Sequence, residues 1–512
     1  MPAKPIMIQG TMSSAGKSLI AAGLCRIFRQ DGLRVAPFKA QNMALNSYIT
    51  REGLEMGRAQ VVQAQAAGVE PSVRMNPILL KPQSDTGSQV ILNGEVWATL
   101  SAAEYYKRKP ELLPHIRRAY ESLAAENDVV VLEGAGSPAE INLRDQDLVN
   151  MGMARMAKAP VLLVGDIDRG GVFAALYGTA ALMEPWEKRH LKGFVINKFR
   201  GDAELLRPGL RQIEELTGIP VLGVVPWLAV ELDDEDSLSP RLTRKNGPPG
   251  GPDIAVIRLP RISNFTDFAP LESLPGASVR YVSAPGELGE PDLILLPGTK
   301  STIPDLLWMR QNGLESALKK RAGRGTLLLG ICGGYQMLGR TLSDPQGVET
   351  APGTTVRGMG LLPGDTVFGG RKVRTRVEGR VLSAPEGLTP LAGARLEGYE
   401  IHMGTTRLDP EVRPFCRISA LTGTPPREEG SALREEGAVY GNVAGTYLHG
   451  LFDTGEVLEG LWKALAARKG LDGDAAAFDP AARREEQYDR LAAALRESLD
   501  MKAVYKILEE GV

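Results

Sequence analysis

The first half of the chain alternates short, continuous apolar runs with longer segments of helical periodicity. The runs, each of which predicts a β-strand, are PIMIQG, LRVAPF, DVVVLEG, APVLLVGD, GFVINKF and IPVLGVVP. Continuous apolar runs are typical of strands buried on both faces, and their alternation with helices indicates a parallel sheet of β-α-β units. Ligands bind such sheets beyond the carboxyl ends of the strands, so the residues that follow each run are the candidates for chemistry.

A second α/β rhythm follows a polar interruption. Acidic residues and then RKNGPPGGP occupy 233–251, and this composition predicts a linker because Pro and Gly disrupt strand and helix interiors. DIAVIRLP, DLILLPG and GTLLLGIC predict further strands, and a turn-rich β region then extends to VAGTYLHG. An Ala-, Arg- and Glu-rich tail has helical spacing. We therefore predict one α/β domain over 1–232, a second over 252–455 and a helical extension over 456–512.

Composition narrows the classes of partner. The chain has 512 residues, which at about 150 residues per domain suggests roughly three structural units. Its 60 basic and 62 acidic residues leave a net charge of -2, so no global field favours nucleic acid. Neither a signal-peptide pattern nor an apolar run of about 20 residues is present, which predicts a cytoplasmic protein without a membrane partner. Three widely spaced cysteines indicate neither a disulfide framework nor a zinc site.

A phosphate-binding loop is predicted at GTMSSAGKS, between the first strand and the helical segment SLIAAGLCRIFRQDG. Small residues allow backbone N–H groups to converge on phosphates at a helix N-terminus, where a lysine and a hydroxyl can reach phosphate and Mg²⁺. The bland alternative is a glycine-rich turn with an exposed lysine. Five residues separate the two glycines, a spacing that resembles dethiobiotin synthetase and its relatives, which phosphorylate carboxylates. The candidate ATP and Mg²⁺ residues are Gly10, Thr11, Ser14, Gly16, Lys17 and Ser18.

Acidic and amide residues at later strand ends extend this site. Glu133 ends DVVVLEG, and Asp166 and Asp168 end APVLLVGDID; each carboxylate could ligate Mg²⁺ or could cap the next helix. Asn197 and Lys198 follow GFVI. An asparagine there could recognise a purine edge, or it could satisfy its own loop backbone.

Two segments crowd amide and lysine side chains without net charge. KAQNMALNS and KPQSDTGSQVILNG suit a large ligand that carries many amides and carboxylates, with lysines pairing the carboxylates. Polar loops are common, so composition alone supports this weakly. The candidate substrate residues are Lys39, Gln41, Asn42, Asn46 and Asp85, with Lys81, Gln83 and Gln89 of similar character.

Cys332 is the candidate nucleophile. It stands in GICGG, between a predicted strand and a predicted helix, and small neighbours permit the sharp turn that exposes a nucleophile. The N–H of Gly333 could stabilise an oxyanion, and Gly298 in LLPGTKS is a second candidate donor. The alternative is an inert buried thiol, the commoner state of an isolated cysteine.

A thiol nucleophile needs a base, and the chain has four histidines. His449 follows a strand-like run in GTYLHGLFD and is the candidate general base and acid. His402 in GYEIHMG could be structural or could line the site. His115 and His190 lie in the other half of the chain, in helical and linking surroundings that suit surface or structural roles.

These motifs together resemble the cobyric acid synthase family, in which a class I glutamine amidotransferase domain follows an ATP-dependent carboxylate-activating domain. The resemblance is carried by GTMSSAGKS, KAQNMALNS, EGAGSPAEINL, GDIDRGGVF, NFTDF, LPGTKST, GICGGYQMLG, GYEIHMG and YLHG. It implies ATP, Mg²⁺ and glutamine as reactants or cofactors. It also implies a corrinoid substrate, adenosyl-cobyrinic acid a,c-diamide, amidated at its b, d, e and g carboxylates. Leu451 stands where most class I glutaminases carry a glutamate that orients the histidine, so that partner is left unidentified.

Two rival interpretations remain open. Cobyrinic acid a,c-diamide synthase, or another two-domain amidotransferase such as a cell-wall lipid amidase, shares the architecture but acts on a different polycarboxylate. A non-catalytic P-loop regulator with a degenerate glutaminase domain is the more distant alternative, and an intact Cys332 and His449 argue against it. The order of amidations, the ammonia route and the oligomeric state stay open.

Overall fold

The chain forms two compact units that interleave along the sequence. The computed structural model describes residues 3–83, 87–233, 242, 250–424, 433–473 and 478–512. Each unit is assembled from segments that are not contiguous. The first contains Met1–Ala44, Met56–Glu235 and Ala482–Val512; the second contains Leu45–Glu55 and Asp236–Ala481.

A six-stranded parallel sheet forms the centre of the first unit. Its apolar strands are almost fully buried, which explains why their sequences run without polar alternation. The strands in spatial order are Val221–Pro226, Leu191–Phe199, Val161–Asp166, Lys4–Gly10, Val129–Glu133 and Val35–Phe38.

Helices cover this sheet, and a small second sheet extends the unit. The principal helices are Lys17–Gln30, Arg58–Ala67, Ala102–Glu126, Met151–Ala157, Val172–Leu182, Pro185–His190, Arg207–Thr217, Pro480–Ser498 and Met501–Glu510. The small sheet consists of Gln41–Met43, Ile78–Pro82, Gly87–Leu92 and Glu95–Ser101.

The tail helices complete the core of the first unit. Leu491 and Leu495 are fully buried in the same apolar cluster as the helix Lys17–Gln30. Arg26 pairs with Glu485 and Asp489 at 2.7 Å each. The apolar face of the tail helices therefore packs against the helix Lys17–Gln30.

Two large sheets form most of the second unit. The first is parallel except for its last strand and has the spatial order Ser278–Val282, Asp253–Ile257, Leu293–Leu296, Leu327–Ile331, Val443–Thr446 and Ala438–Tyr440. The second is mostly antiparallel and contains Thr354–Arg357, Thr341–Asp344, Gly364–Val381, Arg395–Leu408, Leu448–His449, Cys416–Thr424 and Arg434–Glu436. The main helices are Thr302–Gln311, Leu314–Ala322, Gly333–Leu338 and Gly455–Lys469.

The predicted α/β fold class, the strands and the helical tail are confirmed. The division at 232, 252 and 456 stays a prediction; the compact units differ from it because Ala482–Val512 joins the first unit and Leu45–Glu55 joins the second. No helix in the described part of the chain has the length and apolarity to cross a membrane. The three cysteines are free thiols.

Candidate active site

The predicted phosphate loop lies between the central strand Lys4–Gly10 and the helix that begins at Lys17. Lys17 Nζ donates to the carbonyl oxygens of Met12 at 2.9 Å and Gly136 at 3.1 Å, so the ammonium group folds over the loop. Gly16 has φ 103°, and a Cβ there would lie 1.9 Å from Asn197 Nδ2. Only glycine fits this conformation and this space.

Asn197 is the neighbour that packs against this loop. Its Nδ2 donates to the Ala15 carbonyl at 3.0 Å, while its buried Oδ1 has no hydrogen-bond partner among the described residues. The Asn197 amide therefore packs against the phosphate loop, and its Oδ1 is available to accept a hydrogen bond from a ligand.

Glu133 is the centre of a buried polar cluster beside the loop. Its Oε1 accepts from Ser18 Oγ at 2.8 Å and from Lys39 Nζ at 2.9 Å, and its Oε2 accepts from Gln63 Nε2 at 2.5 Å. Glu133 and Lys39 are almost completely buried. A buried carboxylate persists because cations and donors surround it. The structure thus brings together three residues that the sequence had placed in separate motifs.

Asp166 ends the neighbouring strand and engages the loop differently. Its Oδ2 pairs with Lys198 Nζ at 2.7 Å, and the same ammonium also donates to the Ser14 carbonyl at 2.6 Å. The Oδ1 of Asp166 accepts from the N–H of Asp168 at 2.9 Å, and the exposed Asp168 pairs with Arg200. Asp166 therefore holds the loop through Lys198.

The donors at Ser18 and Glu133 fit a Mg²⁺ ion. A hydroxyl and a carboxylate oxygen lie 2.8 Å apart, and oxygen atoms are the ligands that Mg²⁺ prefers. Within the described residues no group of three or more His, Cys, Asp or Glu could hold a metal alone. Such a sparse protein set suits an ion that is bound largely by phosphate oxygens and water.

The candidate substrate residues that the structure describes are divided between the two units. Gln41 Oε1 accepts from the Tyr105 hydroxyl, and Asn42 Nδ2 donates to Gln60 Oε1 at 3.1 Å, both in the first unit. Asn46 belongs to the second unit. Asp85 lies outside the described residues.

Cys332 occupies a strained turn in the second unit. It joins the buried strand Leu327–Ile331 to the helix Gly333–Leu338 with φ 51° and ψ -110°, a conformation that non-glycine residues rarely adopt. Its Sγ lies 3.5 Å from the carbonyl oxygen of Ile401. The turn therefore has the elbow geometry that the glycine spacing predicts.

His449 lies beside that thiol and has an acidic partner. The imidazole is close enough to the Cys332 side chain for the thiol to influence its pKa, and its Nδ1 donates to Asp267 Oδ2 at 2.6 Å. The other oxygen of Asp267 accepts from the N–H of Gly450 at 3.1 Å, which fixes the carboxylate. The result is a buried acid, imidazole and thiol in series.

The proton affinity of His449 follows from this pairing. Burial alone would lower the pKa of His449, but the charge and hydrogen bond of Asp267, with the hydrogen bond and charge of Cys332, raise it to about 10. At neutral pH this imidazole therefore carries a proton that it can give to a leaving group. By contrast, burial raises the pKa of the Cys25 and Cys416 thiols, which lie away from any imidazole contact among the described residues.

Both candidate oxyanion glycines lie at this centre. A Cβ added to Gly298 would lie 3.0 Å from Cε1 of His449, and one added to Gly333 would lie 3.1 Å from the backbone nitrogen of Thr299. The turns that follow the strands Leu293–Leu296 and Leu327–Ile331 therefore meet at the Cys332 thiol.

His402 follows Ile401 on the strand that contacts the thiol. Its ring stacks on Tyr447 with the centroids 3.7 Å apart, and its Nδ1 lies 3.1 Å from the Gly404 carbonyl oxygen. Burial lowers the pKa of His402 to about 3, so the ring is neutral. It borders the centre without a charge of its own. His115 is half-buried and contacts Asn93, whereas His190 is buried against the Ala159 carbonyl.

Comparison with known proteins identifies the family. The chain is 58% identical to a cobyric acid synthase of Ruminiclostridium cellulolyticum over 100% of this chain and 98% of that protein. It is 54% identical to one of Lachnoclostridium phytofermentans over the whole of both chains, and 50% identical to one of Alkaliphilus metalliredigens over 98% of this chain and 99% of that protein. The chain belongs to the cobyric acid synthase family.

Two domain models match this member of the cobyric acid synthase family. A CobQ/CobB/MinD/ParA nucleotide binding domain matches residues 6–237, and a CobB/CobQ-like glutamine amidotransferase domain matches residues 253–457. The family resemblance drawn from the motifs is confirmed. The first match contains the phosphate loop, and the second contains the buried thiol and imidazole.

The sequence did not reveal the acidic partner of the candidate catalytic histidine, His449. Asp267 stands 182 positions before His449 in NFTDF, which the sequence contributed only as a resemblance motif. Leu451, which stands where related glutaminases carry the orienting glutamate, is a buried apolar residue and offers no acid. A short acidic turn without periodicity gives no signal of what it will contact. The stacked Tyr399 was missed for the same reason.

Proposed function

We propose that this chain uses ATP and glutamine to convert carboxylates of a corrinoid into amides, the reaction of a cobyric acid synthase. The observation that carries the proposal is the series Asp267, His449 and Cys332 in the glutamine amidotransferase domain. A nucleotide-binding domain with an intact phosphate loop supplies the complementary half of the chemistry.

The thiol half releases ammonia from glutamine. Cys332 Sγ attacks the carboxamide carbon as a thiolate paired with the protonated His449, and the N–H groups of Gly333 and Gly298 stabilise the oxyanion. His449 then gives its proton to the departing nitrogen, and ammonia leaves as the tetrahedral intermediate collapses to a glutamyl thioester. The neutral His449 takes a proton from water, which hydrolyses the thioester and restores the thiolate and the protonated imidazole. Throughout, Asp267 holds Nδ1 and so directs Nε2 to the sulfur.

The phosphate-loop half activates the acceptor. Lys17 and the loop N–H groups orient ATP so that a substrate carboxylate attacks the terminal phosphorus and ADP leaves. Ammonia then attacks the acyl phosphate and displaces phosphate, which gives the amide. In this proposal Asn197 contacts the base, and Lys39 pairs with an anionic group of the substrate.

Mg²⁺ would be held by Ser18 and Glu133, and it would neutralise phosphate charge during transfer. In the structure Lys39 already contacts the same Oε1 of Glu133. The ammonium group of Lys39 therefore neutralises the carboxylate that would hold the ion.

The acceptor that we propose is adenosyl-cobyrinic acid a,c-diamide, amidated at its b, d, e and g carboxylates in the cytoplasm. Product mass after incubation with ATP, glutamine and this diamide tests the proposal, because each amidation replaces a hydroxyl by an amino group. Four amidations are expected. A diamide whose mass does not change despite glutamate release would contradict the substrate assignment, as would amidation of cobyrinic acid, offered separately, only as far as the a,c-diamide.

A further inference from the structure

A short segment near the N-terminus belongs to the second unit although the residues on both sides of it belong to the first. Leu45–Glu55 lies between Met1–Ala44 and Met56–Glu235, both in the first unit. Each passage of the chain from one unit to the other costs conformational entropy, because it fixes backbone residues. Specific contacts must therefore hold this segment in the second unit.

The excursion is hydrogen-bonded to two residues of the second unit. The N–H of Ser47 donates to Asn264 Oδ1 at 3.1 Å, Asn264 Nδ2 donates to the Tyr399 hydroxyl at 3.0 Å, and that hydroxyl donates to the Ser47 carbonyl at 3.1 Å. All three residues are buried. A closed ring of buried hydrogen bonds holds its members in one arrangement, because breaking any of them leaves a polar group without water.

Tyr399 connects this ring of hydrogen bonds to the active centre. Its ring stacks on the imidazole of His449 with centroids 5.4 Å apart and an angle of 21° between the planes. The hydrogen bond to Asp267 fixes His449 at one edge of its ring, whereas the phenol of Tyr399 covers one face. An edge contact alone leaves the imidazole free to tilt, and the stacked ring removes that freedom.

One short turn supports both constraints. Asn264 has φ 51°, and its carbonyl accepts from the N–H of Asp267 at 2.9 Å. The residue that binds Tyr399 and the acid that binds His449 are thus joined by a single backbone hydrogen bond.

The segment is also anchored at two positions that follow Ser47. Tyr48 packs edge-on against Tyr399 at 5.6 Å, and the guanidinium of Arg376 lies over the Tyr48 ring at 5.3 Å and is hydrogen-bonded to its hydroxyl. The fully buried Glu55 side chain pairs with Lys372 at 2.6 Å. These contacts give the segment a defined position in the second unit.

We propose that Leu45–Glu55 and Tyr399 position the catalytic imidazole, so that glutamine hydrolysis depends on a segment drawn from the sequence of the nucleotide-binding domain. The inference rests on the proposed role of His449. Tyr399 acts through His449 and is a positioning residue, because its ring contacts the imidazole and its hydroxyl contacts the segment.

Two substitutions at one position separate the parts played by ring and hydroxyl. Tyr399→Phe keeps the ring and releases Ser47 and Asn264, and we expect kcat for glutamine hydrolysis to fall about tenfold with KM nearly unchanged. Tyr399→Leu also removes the stacked ring, and we expect a fall of about 100-fold. Amidation supported by an ammonium salt should stay within about twofold of wild type in both. Tyr440→Phe, an exposed tyrosine of the same unit, is the matched control.

Glutamate release measures the first quantity and amide formation the second. Wild-type kcat in both variants would overturn the proposal, as would a loss carried entirely by KM. So would an equal loss of ammonium-supported amidation, which would indicate a general structural defect. Failure of the proposed corrinoid function would appear separately, as absent amidation by the wild-type enzyme with either nitrogen source, while glutamate release would still test Tyr399.

Discussion

The hydrogen bond between Asp267 and His449 is the smallest feature on which the thiol chemistry depends. Its 2.6 Å length, its burial and the raised pKa of the imidazole all indicate an ion pair at neutral pH. In such an ion pair Asp267 accepts from Nδ1, which leaves Nε2 to face the sulfur.

Replacing this acid should impair glutamine hydrolysis selectively. Asp267→Asn offers an amide N–H or a neutral oxygen in place of the carboxylate, so His449 loses the charge that raises its pKa. We expect kcat for glutamate release to fall by about 100-fold or more, while amidation with an ammonium salt is retained. Asp409→Asn, whose carboxylate pairs with Arg340 at 2.6 Å, is the control. An Asp267→Asn enzyme with normal glutaminase kcat would refute the assignment.

Glu400 gives a pH prediction at the same scale. Burial raises the pKa of Glu400 to about 7, with Glu436 adding to the rise and Arg434 opposing it. A raised carboxyl pKa favours folding most strongly below its usual value of 4.5, and that contribution is lost as the pH rises through 7. Glu400→Gln has no charge to bury.

The wild-type Tm should therefore fall relative to that of Glu400→Gln between pH 5 and pH 8, by an amount equivalent to at most about 3 kcal/mol. The exposed Glu397 of the same strand provides the control Glu397→Gln. Thermal unfolding at both pH values checks the difference. Parallel Tm profiles for wild type and Glu400→Gln would show that Glu400 is ionised in the folded protein over the whole range.

At the scale of elements, the elbow depends on close contact between two strand ends. A Cβ at Gly334 would lie 2.0 Å from the carbonyl oxygen of Leu296, which precedes the loop containing Gly298. Backbone cannot yield to such a contact without moving the helix Gly333–Leu338 away from the oxyanion site.

Gly334→Ala should accordingly abolish most glutamine hydrolysis and lower the Tm. Gly286→Ala is the matched control in the same unit, since a Cβ there meets nothing within 4 Å. Glutamate release and thermal unfolding of both variants provide the comparison. Normal glutaminase activity in Gly334→Ala would mean that the strand ends do not need their present separation.

The elements also show what sequence could predict. Buried parallel strands produce uninterrupted apolar runs, and glycine spacing marks sharp turns, so the strands, the phosphate loop and the Cys332 elbow were predictable. Asp267 and Tyr399 were not. Their roles arise from contacts with distant residues, and neither a turn such as NFTDF nor a strand tyrosine indicates in advance which ring it will meet.

At the scale of the whole molecule, the helical tail also has contacts that the sequence could not predict. Its spacing of Ala and Leu predicts helices with an apolar face, but periodicity does not say what that face covers. In the structure Leu495 would meet a Cβ at Gly23 at 2.2 Å, so the tail packs on the nucleotide-loop helix. The segment Leu45–Glu55 likewise joins a unit that its position in the sequence does not suggest.

The central claim for the whole chain is that a thiol in one unit liberates nitrogen that the phosphate-loop unit transfers to an activated carboxylate. Cys332→Ser, assayed for corrinoid amidation with glutamine and separately with an ammonium salt, tests it most directly. Cys416→Ser, which replaces another buried thiol of the same unit, is the control. Lys17→Ala should lose amidation with either nitrogen source. We predict that Cys332→Ser loses glutamine-supported amidation by more than about 100-fold and keeps the ammonium-supported reaction. Equal loss of both activities, or retention of the glutamine-supported one, would contradict the account.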